Sequence, residues 1–279
     1  MDRVDAKLNL EGNIIRVNSI KCLSASATKR MLKLINKFGF TILQVKLSNH
    51  KENLLELKKY FGSIIKHEHS DKNGIVPVIP LENSPGYVNT TTTELPLHTD
   101  GSFLVNPPKI VALQCEVPTA SGGLTTIGDG KLLYDHLASQ NPCGLLNLFQ
   151  DDVMTVQREN QQSTQPIFKE HEGRTSIRFR WDNAINISVK PEDLPMIETI
   201  KKFLRQSQNM SRLKLQSQQI LIMNNTRILH GRTAFKKGEE RVLNRIWFDG
   251  KSDYSEDIQL GFSPGKTLEE LKRLMWSNQ

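Results

Sequence analysis

Residues 219–248 read QILIMNNTRILHGRTAFKKGEERVLNRIWF. QILIM (219–223) is apolar after its first residue, and RVLNRIWF (241–248) alternates, so that Arg241, Leu243, Arg245 and Trp247 fall on one parity. Short apolar runs bounded by Asn, Gly and Lys clusters are the signature of strands. Leu243 and Trp247 mark their parity as the buried one, which turns both arginines inward with them. Between the two runs, NNTRILHGRTAF (224–235) brings His230 to the end of a further apolar strand.

The same texture recurs upstream from about Gly74, in IVPVI (75–79), GYVNT (86–90), KIVALQCEV (109–117), VMTV (153–156), TSIRFRW (175–181) and RLKLQ (212–216). So many short strands predict a sandwich or barrel. Near the N-terminus, KLNLEGNIIRVN (7–18) alternates about Glu11-Gly12-Asn13 and predicts two short strands joined by a turn. Ser26 is placed to cap a helix carrying Met31, Leu32, Ile35 and Phe38, with Gly39 as its stop, and FTILQV (40–45) reads as a buried strand. Asn49 to Phe61 repeats the helical spacing, with Leu54, Leu55, Leu57 and Phe61 apolar ahead of Gly62. Further helices are predicted over Lys131–Ser139, Pro191–Gln206 and Thr267–Trp276, the last opening on a T-x-x-E capping box of Thr267 and Glu270. The fold class is mainly β with flanking α, a β-sandwich core of jelly-roll type with helices packed outside. No repeat, low-complexity tract or long Gly/Ser linker divides the chain, so a single domain over 1–279 is expected.

With 37% hydrophobic, 24% charged and 6% aromatic residues, the chain is expected to be globular rather than disordered. No apolar run nears the ~18 residues that a bilayer span needs, so no membrane partner is expected. Lys and Arg total 37 against 30 Asp and Glu, and the net +7 favours an anionic partner. The lysines are spread along the chain with no aromatics interleaved among basic residues, which argues against nucleic acid. Cys22, Cys115 and Cys143 are odd in number and far apart, so a disulfide-stapled scaffold is excluded and a reducing compartment fits. The opening MDRVDAKLNLEGNIIRVN mixes charge with apolar residues, unlike a secretory signal, and a cytoplasmic location is expected.

LPLHTDGSF (95–103) sets His98 and Asp100 two apart, and in an extended segment such side chains share a face. An H-x-D pair arises by chance in about one chain in three of this composition, so alone it reads as a surface turn before Gly101. His230, far downstream, completes the donor set of a 2-His-1-carboxylate facial triad. Two neutral imidazoles and one carboxylate leave a ferrous ion with a single net positive charge. One octahedral face then stays free for a bidentate co-substrate and dioxygen. A dianionic 2-oxo acid in that place needs another cation, and Arg241 and Arg245 offer the fork geometry that suits a carboxylate. The alternative for the arginines is an amphipathic edge strand facing water.

HTDGSF followed by PPKIVALQCEVPTASGGLTT, with NNTRILHGRTAF followed by RVLNRIWF, resembles the taurine dioxygenase-like (TauD/TfdA) Fe(II)/2-oxoglutarate-dependent oxygenases, a family that includes relatives of clavaminate synthase. The likeness runs from about Phe38 to Trp247. It implies a double-stranded β-helix with the metal between two sheets, and Fe(II), 2-oxoglutarate and O2 as cofactor and co-substrates. It implies that His98, Asp100 and His230 bind iron. Thr125, after the Gly122-Gly123 turn, and Arg241, eleven residues past His230, would hold the 2-oxoglutarate carboxylate. Arg245, fifteen past His230, would meet an anionic group of the substrate. Clavaminate synthase-like members have slightly longer spacings, which leaves the division of labour between Arg241 and Arg245 open. The implied reaction hydroxylates, desaturates or epoxidises an unactivated C–H of a small anionic substrate, amino-acid-derived or a natural product, releasing succinate and carbon dioxide. Asp100 stands where related halogenases carry a small residue, which argues against halogenation. Family members are often dimers or tetramers, so a homo-oligomer is compatible with the resemblance, although no stretch of sequence marks an interface.

Four further residues are substrate-binding candidates alongside these. Arg180 shares strand parity with Arg178 and Asp182 in RFRWDN, and ordinary sheet chemistry is the alternative. Glu94 precedes the metal motif and either pairs a substrate ammonium or faces water. His67 and His69 in KHEHSD (66–71) fall where the resemblance implies a substrate-contacting histidine, with His69 preferred and the register open by two. A second metal site and a solvated loop are the other readings of that motif. His136 and His171 receive no role. A zinc hydrolase using the same His/Asp/His set is the competing function, but it leaves Arg241 and Thr125 without a task and shows no positioned general base.

Overall fold

Along Ile110–Val117 successive side chains turn to opposite sides, and the first six residues are buried on both. That is the condition of a strand inside a layered fold rather than at its surface. The computed structural model describes residues 11–46, 49–80 and 91–276. Its strands in chain order are β1 (Ile14–Val17), β2 (Phe40–Val45), β3 (Val76–Val78), β4 (Leu95–His98), β5 (Ile110–Val117), β6 (Thr125–Asp129), β7 (Met154–Arg158), β8 (Gln161–Gln165), β9 (Phe168–His171), β10 (Arg174–Ile177), β11 (Asn186–Val189), β12 (Met210–Leu213), β13 (Gln219–Asn224), β14 (Ile228–Arg232) and β15 (Val242–Phe248). Its helices are α1 (Ala25–Phe38), α2 (His50–Glu56), α3 (Lys58–Phe61), α4 (Gly130–Gln140), α5 (Pro142–Asn147), α6 (Leu194–Arg205) and α7 (Leu268–Trp276). The strands expected over 7–10 and 86–90 lie outside the described residues.

The largest sheet runs β1-β2-β13-β5-β15-β3, with β1 parallel to β2 and the other pairs antiparallel. A second, antiparallel sheet runs β12-β6-β14-β4, and smaller sheets join β11-β7-β8 and β9-β10. No sheet closes into a barrel among the described residues. Ile110, Ala112, Ile220, Ile222, Ile246 and Phe248 face one way, onto Met31, Leu32 and Ile35 of α1 and Tyr60 and Phe61 of α3. Val111, Leu113, Leu221, Met223, Leu243 and Trp247 face the other way, into a cluster that takes in Ile127 and Leu213 of the second sheet and Met196, Ile197 and Ile200 of α6. Each large aliphatic side chain buried there contributes about 1.5–3 kcal/mol. The mainly-β reading with helices outside the strands therefore holds.

Helix ends follow local chemistry. Gly39 stops α1 at φ 79° and returns its N–H to Ile35, the left-handed ending that glycine permits. Thr267 and Glu270 exchange side-chain-to-backbone bonds at 2.7 and 3.2 Å ahead of α7. The N-cap of α1 is Ser24, which accepts from Ala27 N–H at 3.2 Å, and not Ser26. The helix expected over Asn49–Phe61 divides at Leu57 into α2 and α3. TSIRFRW is strand only as far as Ile177, because the backbone of Phe179 then bonds Thr99 instead of a sheet neighbour. No helix among the described residues is long and apolar enough to cross a membrane.

Candidate metal centre

Strand pairing assembles the site. β14 runs antiparallel to β4 with His230 directly opposite His98, and their ring centroids lie 4.6 Å apart. Gly231 makes this approach feasible: a Cβ there would lie 2.4 Å from the Leu95 carbonyl oxygen and 2.7 Å from Thr126 Oγ1. Asp100 enters from the turn after β4 and is held by its backbone. Asn225 Oδ1 accepts from Asp100 N–H at 2.8 Å, while Asn225 Nδ2 donates to the Asp100 and Pro108 carbonyls at 3.0 and 2.8 Å. The three side chains thus converge, with Asp100 Oδ1 3.5 Å from His98 Nε2 and Oδ2 3.8 Å from His230 Nε2. His98, Asp100 and His230 are 2%, 1% and 6% exposed, which shields any ligand bond from water.

Both carboxylate oxygens have a donor. Arg245 Nη1 reaches Oδ1 at 3.1 Å and Trp247 Nε1 reaches Oδ2 at 2.8 Å. Burial alone would raise the Asp100 carboxyl, but the Arg245 charge and the two histidines hold it well below the ordinary carboxylate range. Burial pushes the His230 imidazole down to about 3, against the pull of Asp100. His98 Nδ1 lies 2.9 Å from the Pro96 carbonyl, which can only accept, so its proton sits on Nδ1 and Nε2 presents a lone pair. The donor set fits a divalent transition metal on these observations: an ionised carboxylate and a neutral His230 ring, with an oriented His98 Nε2, all within 4.8 Å of one another.

Of the residues expected to hold 2-oxoglutarate, Thr125 pairs with Arg232 on β14, two residues past His230, and Arg241 stands just ahead of β15. Thr125 opens β6 and is 3% exposed. The positive φ of Gly122 and Gly123 folds the preceding turn against Ala234 and the Arg241 stem; a Cβ on Gly123 would be 3.4 Å from Arg241 Cδ. Arg241 is buried, and burial draws its guanidinium down to about 10, still cationic at neutral pH. A third arginine, Arg232, is buried beside them, a position that no reading of spacing picked out. The available signal was a basic residue sharing parity with His230 in an otherwise apolar strand.

The remaining candidates separate. Arg245 and Arg180 both have protein partners: Arg245 bonds Asp100, and Arg180 Nε bonds Asp182 Oδ2 at 2.7 Å. Burial opposes ionisation of the Asp182 carboxyl, and Arg180 with His98 pulls it down on balance. The pair therefore sits within electrostatic reach of His98. Glu94 is exposed and lines a groove of about 450 Å³ with Thr126, Trp181, Lys201 and Arg212, whereas the His98 and His230 side chains leave their strands on the other face. His69 is also displaced from the centre. It is exposed, 3.5 Å from Glu68 Oε1 and 3.7 Å from Glu159 Oε1, and these three groups are close enough to share a cation. His67 takes the inner position instead, buried and edge-on to Trp247 with ring centroids 5.0 Å apart. Of the two histidines, His67 is the buried one, with Arg158 Nη1 3.3 Å from its Nε2, and His69 the exposed one.

The profile of the Taurine catabolism dioxygenase TauD, TfdA family matches residues 6–247. The chain belongs to this family. Membership agrees with the dioxygenase class and the iron, 2-oxoglutarate and O2 set implied by the sequence resemblance. Human gamma-butyrobetaine dioxygenase is 25% identical over 163 residues, a match covering 54% of this chain and 42% of that protein. The matched segment is thus under half the length of the curated relative. Among solved structures, asparagine oxygenase in complex with Fe(II), 2S,3S-3-hydroxyasparagine and succinate superposes with a TM-score of 0.64 at 14% identity, over 80% of this chain and 79% of that one. The non-heme iron oxygenase OrfP with Fe and alpha-ketoglutaric acid gives 0.64 at 14% identity, over 87% and 85%. PvcB, an Fe, alpha-ketoglutarate dependent oxygenase from an isonitrile synthetic pathway, gives 0.60 at 20% identity, over 84% and 85%. These likenesses establish a shared fold, and the zinc-hydrolase alternative gains no support from any of them.

Proposed function

We propose that this TauD/TfdA-family chain is an iron- and 2-oxoglutarate-dependent dioxygenase acting on an unactivated C–H of a small anionic compound, amino-acid-derived or a natural-product intermediate. The reaction is hydroxylation, or desaturation or epoxidation, with release of succinate and carbon dioxide. The reading is carried by the buried His98, Asp100 and His230 constellation beside two inward-turned arginines on β15 and the turn before it. Supporting it, the asparagine oxygenase and OrfP structures contain hydroxylated amino acids. We further propose that the two main sheets are the halves of a double-stranded β-helix, and that residues 1–279 form one domain.

In this mechanism His98 Nε2, His230 Nε2 and Asp100 hold iron, and Thr125 with Arg241 binds the distal carboxylate of 2-oxoglutarate. Bound iron with 2-oxoglutarate and dioxygen supplies the oxidising chemistry. Asp100 stays ionised because the Arg245 charge and the two histidines outweigh its burial, and Trp247 donates to its second oxygen. Arg180 spends only Nε on Asp182, which leaves its terminal nitrogens for a substrate anion, and Arg245 adds to the same positive field. His67 and Phe103 close the apolar side of the cleft and exclude water. Substrate roles fall to Arg180 and Arg245 rather than to Glu94 and His69.

The test is an anaerobic titration with Fe(II) and 2-oxoglutarate, followed by the weak visible charge-transfer band, then by succinate release in air with candidate amino acids and other small acids. A band that shifts when a compound is added, with succinate formed in step, supports the reading. Absence of both band and succinate from a folded, iron-loaded protein overturns it.

A further inference from the structure

Two buried cations, Arg232 and Arg241, lie together over one aromatic ring with no acid among the described residues to balance them. Arg232 follows His230 by two positions on β14, so its side chain leaves the strand on the metal-facing side, and it pairs in register with Thr125 on β6. Arg241 arrives from the opposite sheet, ahead of β15. Their guanidinium carbons lie 5.0 and 5.9 Å from the centroid of one ring, that of Phe235. Arg232 and Arg241 are 4% and 5% exposed. Among the described residues neither forms an ion pair with a carboxylate. Arg232 spends Nη2 on the Thr93 carbonyl at 2.5 Å, and its Nε is buried without a partner. Cys115, whose charge would act on Arg241, has its thiol pushed up to about 11 by burial and stays protonated.

Paired guanidinium groups buried without counter-charge are costly, and an unmet N–H in the same pocket adds to the cost. A ligand that brings a carboxylate to this spot removes both penalties at once. We infer that Arg232 is a second cationic clamp for the co-substrate, donating from Nε to the carboxylate that Arg241 and Thr125 also hold. The inference rests on the dioxygenase reading above and extends it to a residue outside the ligand spacing. A carboxylate has about four lone-pair sites, enough to accept from all three residues together. The clamp makes the pocket selective for a 2-oxo diacid over a 2-oxo monoacid, because only the diacid reaches both arginines.

The test measures dissociation constants, not turnover. Wild type, Arg232→Gln and Arg232→Lys, each loaded with Mn(II) under anaerobic conditions, are titrated with 2-oxoglutarate and separately with 2-oxobutyrate, which chelates identically but lacks the distal carboxylate. Arg232→Gln is expected to weaken 2-oxoglutarate by about tenfold or more while moving 2-oxobutyrate by less than about threefold. Arg232→Lys keeps the charge but loses the Nε donor, and is expected to fall between. Unchanged 2-oxoglutarate affinity in the variants, or an equal loss for both acids, overturns the clamp. If Arg232→Gln does not fold, the diacid-to-monoacid ratio of Arg232→Lys decides: a ratio lowered about threefold or more supports the clamp and an unchanged ratio refutes it. Failure of the wild type to bind either acid is a different result, which removes the dioxygenase reading and the clamp with it.

Discussion

Arg245 donates from Nη1 to Oδ1 of Asp100 at 3.1 Å, with both side chains almost wholly sealed from solvent. The guanidinium therefore neutralises the carboxylate proposed as an iron ligand before it can serve any substrate. Removing one member of such a buried pair strands the other, at about 3–5 kcal/mol. Arg245→Met is accordingly expected to lower the unfolding free energy of the metal-free protein by about that much in urea. It also releases the Asp100 carboxyl upward toward its ordinary range, so metal uptake moves to higher pH. A variant as stable as wild type, taking up metal over the same pH range, would show that the pair is incidental.

Trp247 serves the other oxygen, Oδ2, at 2.8 Å. Trp247→Phe keeps most of the ring that packs in the sheet-facing core and deletes only that donor. Outer-shell hydrogen bonds of this kind tune metal affinity by about 10–100-fold. Equilibrium dialysis against Mn(II) is expected to show a loss in that range with little change in folding; unaltered affinity would refute the role given to the indole N–H.

Two buried imidazoles make the metal-free protein sensitive to acid. Burial first, then the Arg245 and Arg158 charges, pushes His67 from 6.5 to about 3, and burial does the same to His230. With folded values below the unfolded one, stability is fully present above about 6.5 and drains away as pH falls toward about 3, because only the unfolded chain takes up the protons. The expected slope is on the order of 1 kcal/mol per pH unit for each ring. Urea midpoints measured from about pH 7.5 down to about pH 5 should fall, and His67→Gln should flatten the curve. An equally steep curve for that variant would place the acid sensitivity elsewhere.

Much of this site is readable from sequence because its strands alternate cleanly. Leu243 and Trp247 fixed the parity that turns Arg245 inward, and the apolar run before His230 put it at the end of a strand, where the structure has it at the middle of β14. VMTV marked β7, but its partners β8 and β11 escaped detection; Gln161–Gln165 is polar throughout and only its pairing with β7 shows that it is a strand. RFRW failed for a different reason. Arg178 turns aside to donate to the Ser102, Met154 and Gln165 carbonyls at 2.6, 2.7 and 2.8 Å, a long-range demand that no local periodicity encodes. Asn225 and Arg232 were likewise invisible, because their partners, the Asp100 backbone and Thr125, are more than a hundred residues away in the chain.

Gly231 offers a probe of strand spacing that touches no ligand. It lies between His230 and Arg232, where the register of β14 against β4 shifts. A methyl group there would sit 2.4 Å from the Leu95 carbonyl oxygen and 3.1 Å from the Pro96 carbonyl carbon, both backbone atoms that cannot rotate away. Gly231→Ala must therefore push β4 from β14, widening the gap between the His98 and His230 rings, and a ligand displaced by about 1 Å no longer completes the metal's shell. The variant is expected to lose metal affinity by at least about tenfold and to lose more stability than a helix-surface Gly→Ala change, which ordinarily gains about 0.4–1 kcal/mol. Metal titration and thermal melting of the same preparation separate the two effects. Full metal affinity in a destabilised variant would mean that the histidines keep their spacing independently of the strand pair, and the account of how the site is assembled would fail.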